Sequence, residues 1–163
     1  MPLEPATREI SPEALTDIEK FDEQLARYLA GELDDEVFRV FRLNNGIYGQ
    51  RQQGHNQMVR VKVPYGSLNP EQFDMLAHIA ETYSRGWGHI TTRQNIQFHF
   101  VQLERVPAVM RDLASVGLTT REACGDTVRN VMGCHLAGAC PFEVLDISPV
   151  SYTHLTLPTI CSV

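Results

Sequence analysis

Two short stretches restrict what this chain can fold into more than any other feature. In "TTRQNIQFHF" (91–100) Ile96, Phe98 and Phe100 alternate with Asn95, Gln97 and His99, and Arg93 is in step with the polar set. In "MVRVKVPYG" (58–66) Val59, Val61 and Val63 alternate with Met58, Arg60 and Lys62. Strand side chains point to opposite faces with a period of two. Each stretch therefore reads as a strand with one apolar face and one hydrogen-bonding or cationic face.

The segments around them carry helical signals. Ser11 before Pro12 marks a helix start, and Leu15, Ile18, Phe21, Leu25 and Leu29 form a stripe that Gly31 ends. A loop rich in Gly, Asn and Gln, "RLNNGIYGQRQQGHN", leads to the first strand. Asn69 and Pro70 then open a second helix, with Gln72 placed for a capping box and Phe73, Leu76, Ala77, Ala80 and Tyr83 on one side, closing at Gly86. A third runs roughly from Val106 to Val116, with Val109, Met110, Leu113 and Val116 inward. This order predicts an α+β sandwich with helices on one face of a small antiparallel sheet.

Composition narrows the class. At 163 residues and 43% hydrophobic, the chain suits one globular domain with a real core. No apolar run approaches the roughly 20 residues that span a bilayer, and the first residues lack the pattern of a signal peptide, so the expectation is a cytoplasmic protein without a membrane partner. Four cysteines, three of them between 124 and 140, are expected as reduced thiols. Of the 20 acidic residues, 11 fall in the first 36 positions, against three of the 14 basic ones, leaving a mildly cationic body behind an acidic, solvated leading helix. No run of Lys or Arg is interleaved with aromatics, which argues against nucleic acid as a partner.

With helices on the valine and Ile/Phe faces, the opposite faces present Arg60, Lys62, Arg93, Asn95, Gln97 and His99. Three fixed cations beside neutral hydrogen-bonding groups suit a ligand with carboxylates or an oxyanion, and the pattern equally suits a solvent-facing sheet. A second cluster lies in "ACGDTVRNVMGCHLAGAC", where Gly125 and Asp126 read as a turn and helix cap, with Arg129 and Asn130 one turn later. A cation in a helical first turn opposes the helix dipole, a local conflict of the kind functional residues show. Cys134, His135 and Cys140 fall short of the four ligands of a zinc site or iron–sulfur cluster, so no metal ligand is assigned. Beyond Asp146 the chain has no charged residue, and "SYTHLTLPTICSV" lacks a clear period.

Taken together and in this order, "NNGIYGQRQ", "MVRVKVPYG", "TTRQNIQFHF" and "ACGDTVRN" resemble the N-terminal part of the siroheme-dependent nitrite and sulfite reductases, from about Phe38 to Pro149. The resemblance implies an N-terminal helical extension (1–37), a ferredoxin-like half-domain (38–118) and the beginning of a siroheme and 4Fe-4S domain (119–149). Residues 150–163 look like a non-native tail read through from a sequencing adapter. By the same resemblance, Arg60 and Arg129 are substrate-anion arginines, Arg93 contacts siroheme carboxylates, and Gln97, His99 and Asn130 are further cofactor-binding candidates. His89 stands where some relatives place another basic siroheme contact. The implied activity is the six-electron reduction of sulfite to sulfide or nitrite to ammonia, with ferredoxin or a flavoprotein reductase as electron donor. The cluster's cysteine ligands lie downstream in the family and are absent from this segment, which is therefore expected to be inactive alone. The alternative is a small ferredoxin-like module that binds a polyanionic ligand without redox chemistry.

Overall fold

The computed structural model describes residues 9–50, 55–124, 129–147 and 149–150. Two helices open the chain, α1 (Pro12–Leu29) and α2 (Asp35–Asn44). They are followed by β1 (Ile47–Gly49), β2 (Asn56–Val61), α3 (Pro70–Tyr83), β3 (His89–Ile90), β4 (Ile96–Gln102) and α4 (Val106–Ser115). The four strands pair antiparallel in the order β1-β2-β4-β3. The α+β arrangement read from the sequence is thus the arrangement observed. Among the described residues no helix is long and apolar enough to cross a membrane.

Local chemistry explains most boundaries. Ser11 Oγ accepts the Ala14 N–H at 3.2 Å at the head of α1. At α3 the capping box is complete: Asn69 Oδ1 accepts the Gln72 N–H at 2.8 Å, and Gln72 Oε1 accepts the Asn69 N–H at 3.0 Å. Helix α2 lies mostly in a stretch the sequence left unassigned, and only its last three residues fall in the loop expected from Arg42 onward. Asp34 caps it by accepting the Glu36 N–H at 2.9 Å, and its one buried side chain, Phe38, stacks on Tyr28 of α1 with ring centroids 4.2 Å apart. It spans the position between 37 and 38 where the sequence suggested a division, and the core runs without a break from Ile18, Phe21 and Leu25 of α1 through Phe38 to the sheet.

Val59, Val61, Val63, Phe98 and Val101 supply the sheet's side of that core, each almost wholly buried under the helices. Burying a side chain of this size contributes about 1.5–3 kcal/mol. Two predicted faces differ from those observed. On α3 the buried set is Met75, Leu76, Ile79 and Ala80, while Phe73 is 61% exposed and Ala77 is on the outside. On β4 the alternation breaks after Phe98, because Gln57 pairs with Val101 while Val59 pairs with Phe98, leaving His99 and Phe100 together opposite Met58. Phe100 takes the bulge at φ +64 and Val101 replaces it in the core. Gln50 Oε1 accepts the Phe100 N–H at 2.7 Å, Ser84 donates to the His99 carbonyl at 2.7 Å, and the Arg85 guanidinium lies 3.6 Å from the Phe100 ring centroid.

A cationic cavity on the open face of the sheet

The face of the sheet turned away from the helices is built on one cross-strand row. His89 of β3 pairs with Gln97 of β4, and Gln97 pairs with Arg60 of β2. The amide orientation that satisfies both partners turns Gln97 Oε1 to Arg60, accepting from Nε at 2.8 Å and Nη2 at 2.5 Å. The Arg60 guanidinium also donates to the Ala123 carbonyl at 3.4 Å and lies 5.2 Å from the Tyr48 ring centroid. Arg60 is half-buried and Gln97 buried, so this pair is fixed in place while remaining at the cavity wall.

Two further segments complete the wall. Beyond α4 the chain returns beside β2, through a bridge between Lys62 and Thr119. This return brings Glu122 within 3.4 Å of Lys62 Nζ and carries Ala123 and then Arg129 over the polar face. Arg93 sits in the turn between β3 and β4, ahead of the strand, and is exposed. A strand-face position for it was expected. Thr91 explains the turn, since its hydroxyl accepts the Arg93 and Asn95 N–H groups at 3.3 and 3.1 Å. The cavity is partly open to solvent, measures about 310 Å³ and is lined by Arg60, Lys62, Arg93 and Arg129 together with His89 and Glu122. Among the described residues neither Arg93 nor Arg129 has an ion-pair partner. Among the described residues, four cationic side chains thus face a single carboxylate, Glu122.

The remaining predicted residues have other neighbours. His99 is not at the cavity: its ring stacks on Trp87 at 5.3 Å, with Nδ1 3.0 Å from Gln50 Nε2, and burial and the nearby His89 lower its pKa. Asn130 does line the cavity, but its Nδ2 donates to the Val63 carbonyl at 2.7 Å and the Arg93 carbonyl at 2.9 Å. The segment 129–134 has no helix, although the sequence suggested one. Its backbone is engaged instead by outside partners, with the Val131 carbonyl accepting the Tyr65 N–H and the Gly133 carbonyl accepting from Gln94 Nε2. The cap expected at Gly125 and Asp126, and the whole of "SYTHLTLPTICSV" with Cys161, lie outside the described residues.

Sequence reasoning missed Glu122, Tyr48 and Cys124, for no local pattern signals a contact made by a returning chain. Cys124 is wholly buried and hydrogen-bonds with Tyr48; desolvation raises the pKa of both groups, and Arg60 and Arg129 oppose the rise. Cys134 is exposed and Cys140 half-buried, both as free thiols. Among the described residues no three His, Cys, Asp or Glu side chains gather as a metal site.

Residues 48–116 match the family model described as the nitrite/sulfite reductase ferredoxin-like half domain. The chain belongs to the nitrite and sulfite reductase family. It is 34% identical over 145 residues to the assimilatory ferredoxin-dependent nitrite reductase of Haloferax mediterranei, an alignment covering 82% of this chain and 25% of that enzyme. The sulfite reductase (ferredoxin) of Mycobacterium tuberculosis is 38% identical over 117 residues, covering 62% of this chain and 21% of the enzyme. Chloroplastic ferredoxin–nitrite reductase of Zea mays is 40% identical over 112 residues, covering 68% and 19%. Among solved structures, that of the Mycobacterium tuberculosis NirA protein superposes with a TM-score of 0.71 at 31% identity, covering 86% of this chain and 30% of that one. This member of the nitrite and sulfite reductase family therefore spans about a quarter of the length of such relatives.

Proposed function

We propose that this chain forms the anion-binding and macrocycle-binding wall of a siroheme-dependent nitrite or sulfite reductase. The observation that carries the reading is the convergence of Arg60, Lys62, Arg93 and Arg129 on one cavity, with all but Lys62 free of ion-pair partners among the described residues. Siroheme carries eight carboxylates, and a donor set of guanidinium groups with neutral amide and hydroxyl side chains fits such an edge. Arg93, exposed in its turn, reaches outward to these carboxylates. Arg60 and Arg129 hold the small oxyanion, Arg60 being oriented by Gln97 so that its donors are fixed before the anion arrives. These groups offset charge on the bound anion and stabilise its oxygens as they leave as water. When bound, siroheme supplies the redox-active iron, and electrons come from ferredoxin or a flavoprotein reductase. Relatives named for nitrite and for sulfite both align with this segment, and both anions have the small, oxygen-rich shape the arginines suit.

The test is a titration of the purified chain with siroheme, followed in the Soret region. The expected result is a saturable shift that Arg93→Ala weakens by about 10-fold or more, the loss of a charge-assisted contact of ~1.5–3 kcal/mol. A shift indifferent to Arg93→Ala would remove Arg93 from the site, and no shift with the wild-type chain would sink the reading. A non-redox module for another polyanion would then be the reading to pursue, on the same cationic cavity.

A further inference from the structure

Val63 presents a local problem in backbone hydrogen bonding. The β2–β4 ladder ends at the Val61↔Ile96 pair, yet Val63 is only 1% exposed, so its peptide groups need partners away from water. Two amide side chains provide them. The Val63 N–H donates to Asn95 Oδ1 at 3.1 Å, and the Val63 carbonyl accepts from Asn130 Nδ2 at 2.7 Å as well as from the Gly66 N–H at 3.1 Å. The same Asn130 Nδ2 donates to the carbonyl of Arg93 at 2.9 Å.

Asn130 therefore uses both of its N–H donors on backbone carbonyls, one at the end of β2 and one in the turn that bears Arg93. Its own chain neighbour is Arg129. Asn95 and Asn130 are each 6% exposed, and these bonds to backbone groups hold both amides in place. Arg93 and Arg129, neither with an ion-pair partner among the described residues, are thus carried on backbone tied to one amide.

We infer that Asn130, supported by Asn95 across the Val63 peptide, is a positioning residue that fixes Arg93 relative to Arg129 and so sets the spacing of the cationic cavity. The inference rests on the anion-binding reading of those two arginines. It accounts for a buried amide in a segment without regular structure, where a merely space-filling residue would offer no donor to the Val63 and Arg93 carbonyls. Removing the two N–H donors while keeping the shape leaves only the bond from Gln94 Nε2 to the Gly133 carbonyl, at 3.1 Å, among the described side-chain ties between the Arg93 turn and the Arg129 segment, and both guanidinium groups then lose part of their preorganisation.

The experiment is a double-mutant cycle read by siroheme titration in the Soret region, using Asn130→Asp and the uncharged Asn130→Ala. In the otherwise wild-type chain each is expected to weaken binding by about 10-fold; in the Arg93→Ala background the same change is expected to weaken it by less than about 3-fold, because part of its effect acts through Arg93. Equal loss in both backgrounds would mean a general structural lesion and would overturn the inference, as would unchanged affinity in Asn130→Asp. If the wild-type chain takes up no siroheme, the anion-site reading has failed and the clamp is judged on the free chain. There, backbone NMR order parameters at 92–94 and 129–131 are expected to fall in Asn130→Asp while those of α3 and α4 hold. Order parameters unchanged in both segments would overturn the clamp itself.

Discussion

Gly46 shows how single residues hold this site. It follows α2 with φ +79, and a Cβ there would lie 2.3 Å from the Thr120 carbonyl oxygen and 2.9 Å from that of Arg60. The returning chain and β2 both press against it, so the turn sets the distance between the two segments that carry the cavity wall. Gly31 has nearly the same backbone, φ +78, with nothing within 4 Å of its notional Cβ. Alanine at Gly31 should therefore cost only the left-handed backbone penalty, ~1–2 kcal/mol, whereas alanine at Gly46 should add a clash with backbone and lose clearly more. Urea midpoints of the two variants check this, and equal losses would show that the approach at Gly46 is not tight. At this scale the sequence was informative wherever a side chain sits in a regular strand. Arg60 and Gln97 were legible as neighbours on one face from alternation alone. Arg93 was legible as a cation near the site but not as a turn residue, since its position depends on the Thr91 hydroxyl holding two N–H groups. Asn130 was legible as a polar residue beside Arg129, but its partners, two carbonyls far away in sequence, were not.

Among elements, the pairing of α3 with α4 is fastened by Tyr83, whose hydroxyl donates to Asp112 Oδ2 at 2.7 Å while Arg105 lies 4.4 Å from its ring centroid. Desolvation, followed by the bond to Asp112, pushes the Tyr83 pKa up to about 12. A phenol whose folded pKa is raised favours the folded state most when protonated. The contribution is complete below the unfolded value near 10 and declines as pH rises from about 10 to 12, since only the unfolded chain ionises readily there. Tyr83→Phe is expected to cost about 1 kcal/mol at neutral pH, and the gap in urea midpoint between it and the wild type should narrow between pH 10 and 12. A gap constant with pH would mean that folding does not raise the Tyr83 pKa. Capping signals made α1 and α3 readable, because Ser11, Asn69 and the prolines after them act locally, while α4 was readable from its apolar period. Helix α2 escaped because it buries only Phe38, so little apolar periodicity marks it. The β4 bulge escaped for a different reason: it is imposed by Gln50, Ser84 and Arg85, none of them in the strand.

Over the whole molecule, charge is divided by position. The acidic α1 is tied to the body through Asp22 with Arg111 at 2.9 Å and Asp17 with Arg121, exposed pairs worth up to about 1 kcal/mol each. Four of the other cations, Arg60, Lys62, Arg93 and Arg129, line one cavity on the far face of the sheet, and the chain spans about a quarter of the length of its nitrite and sulfite reductase relatives. The central claim is that this face binds the reducible anion. Its most direct test is turnover of sulfite and nitrite, driven by a reduced viologen, in a full-length reductase built with this segment and carrying Arg129→Ala. The account predicts a fall in kcat/KM of about 100-fold or more, the scale on which a preorganised donor contributes, with the siroheme absorbance largely retained. Undiminished turnover of both anions with siroheme in place would contradict it.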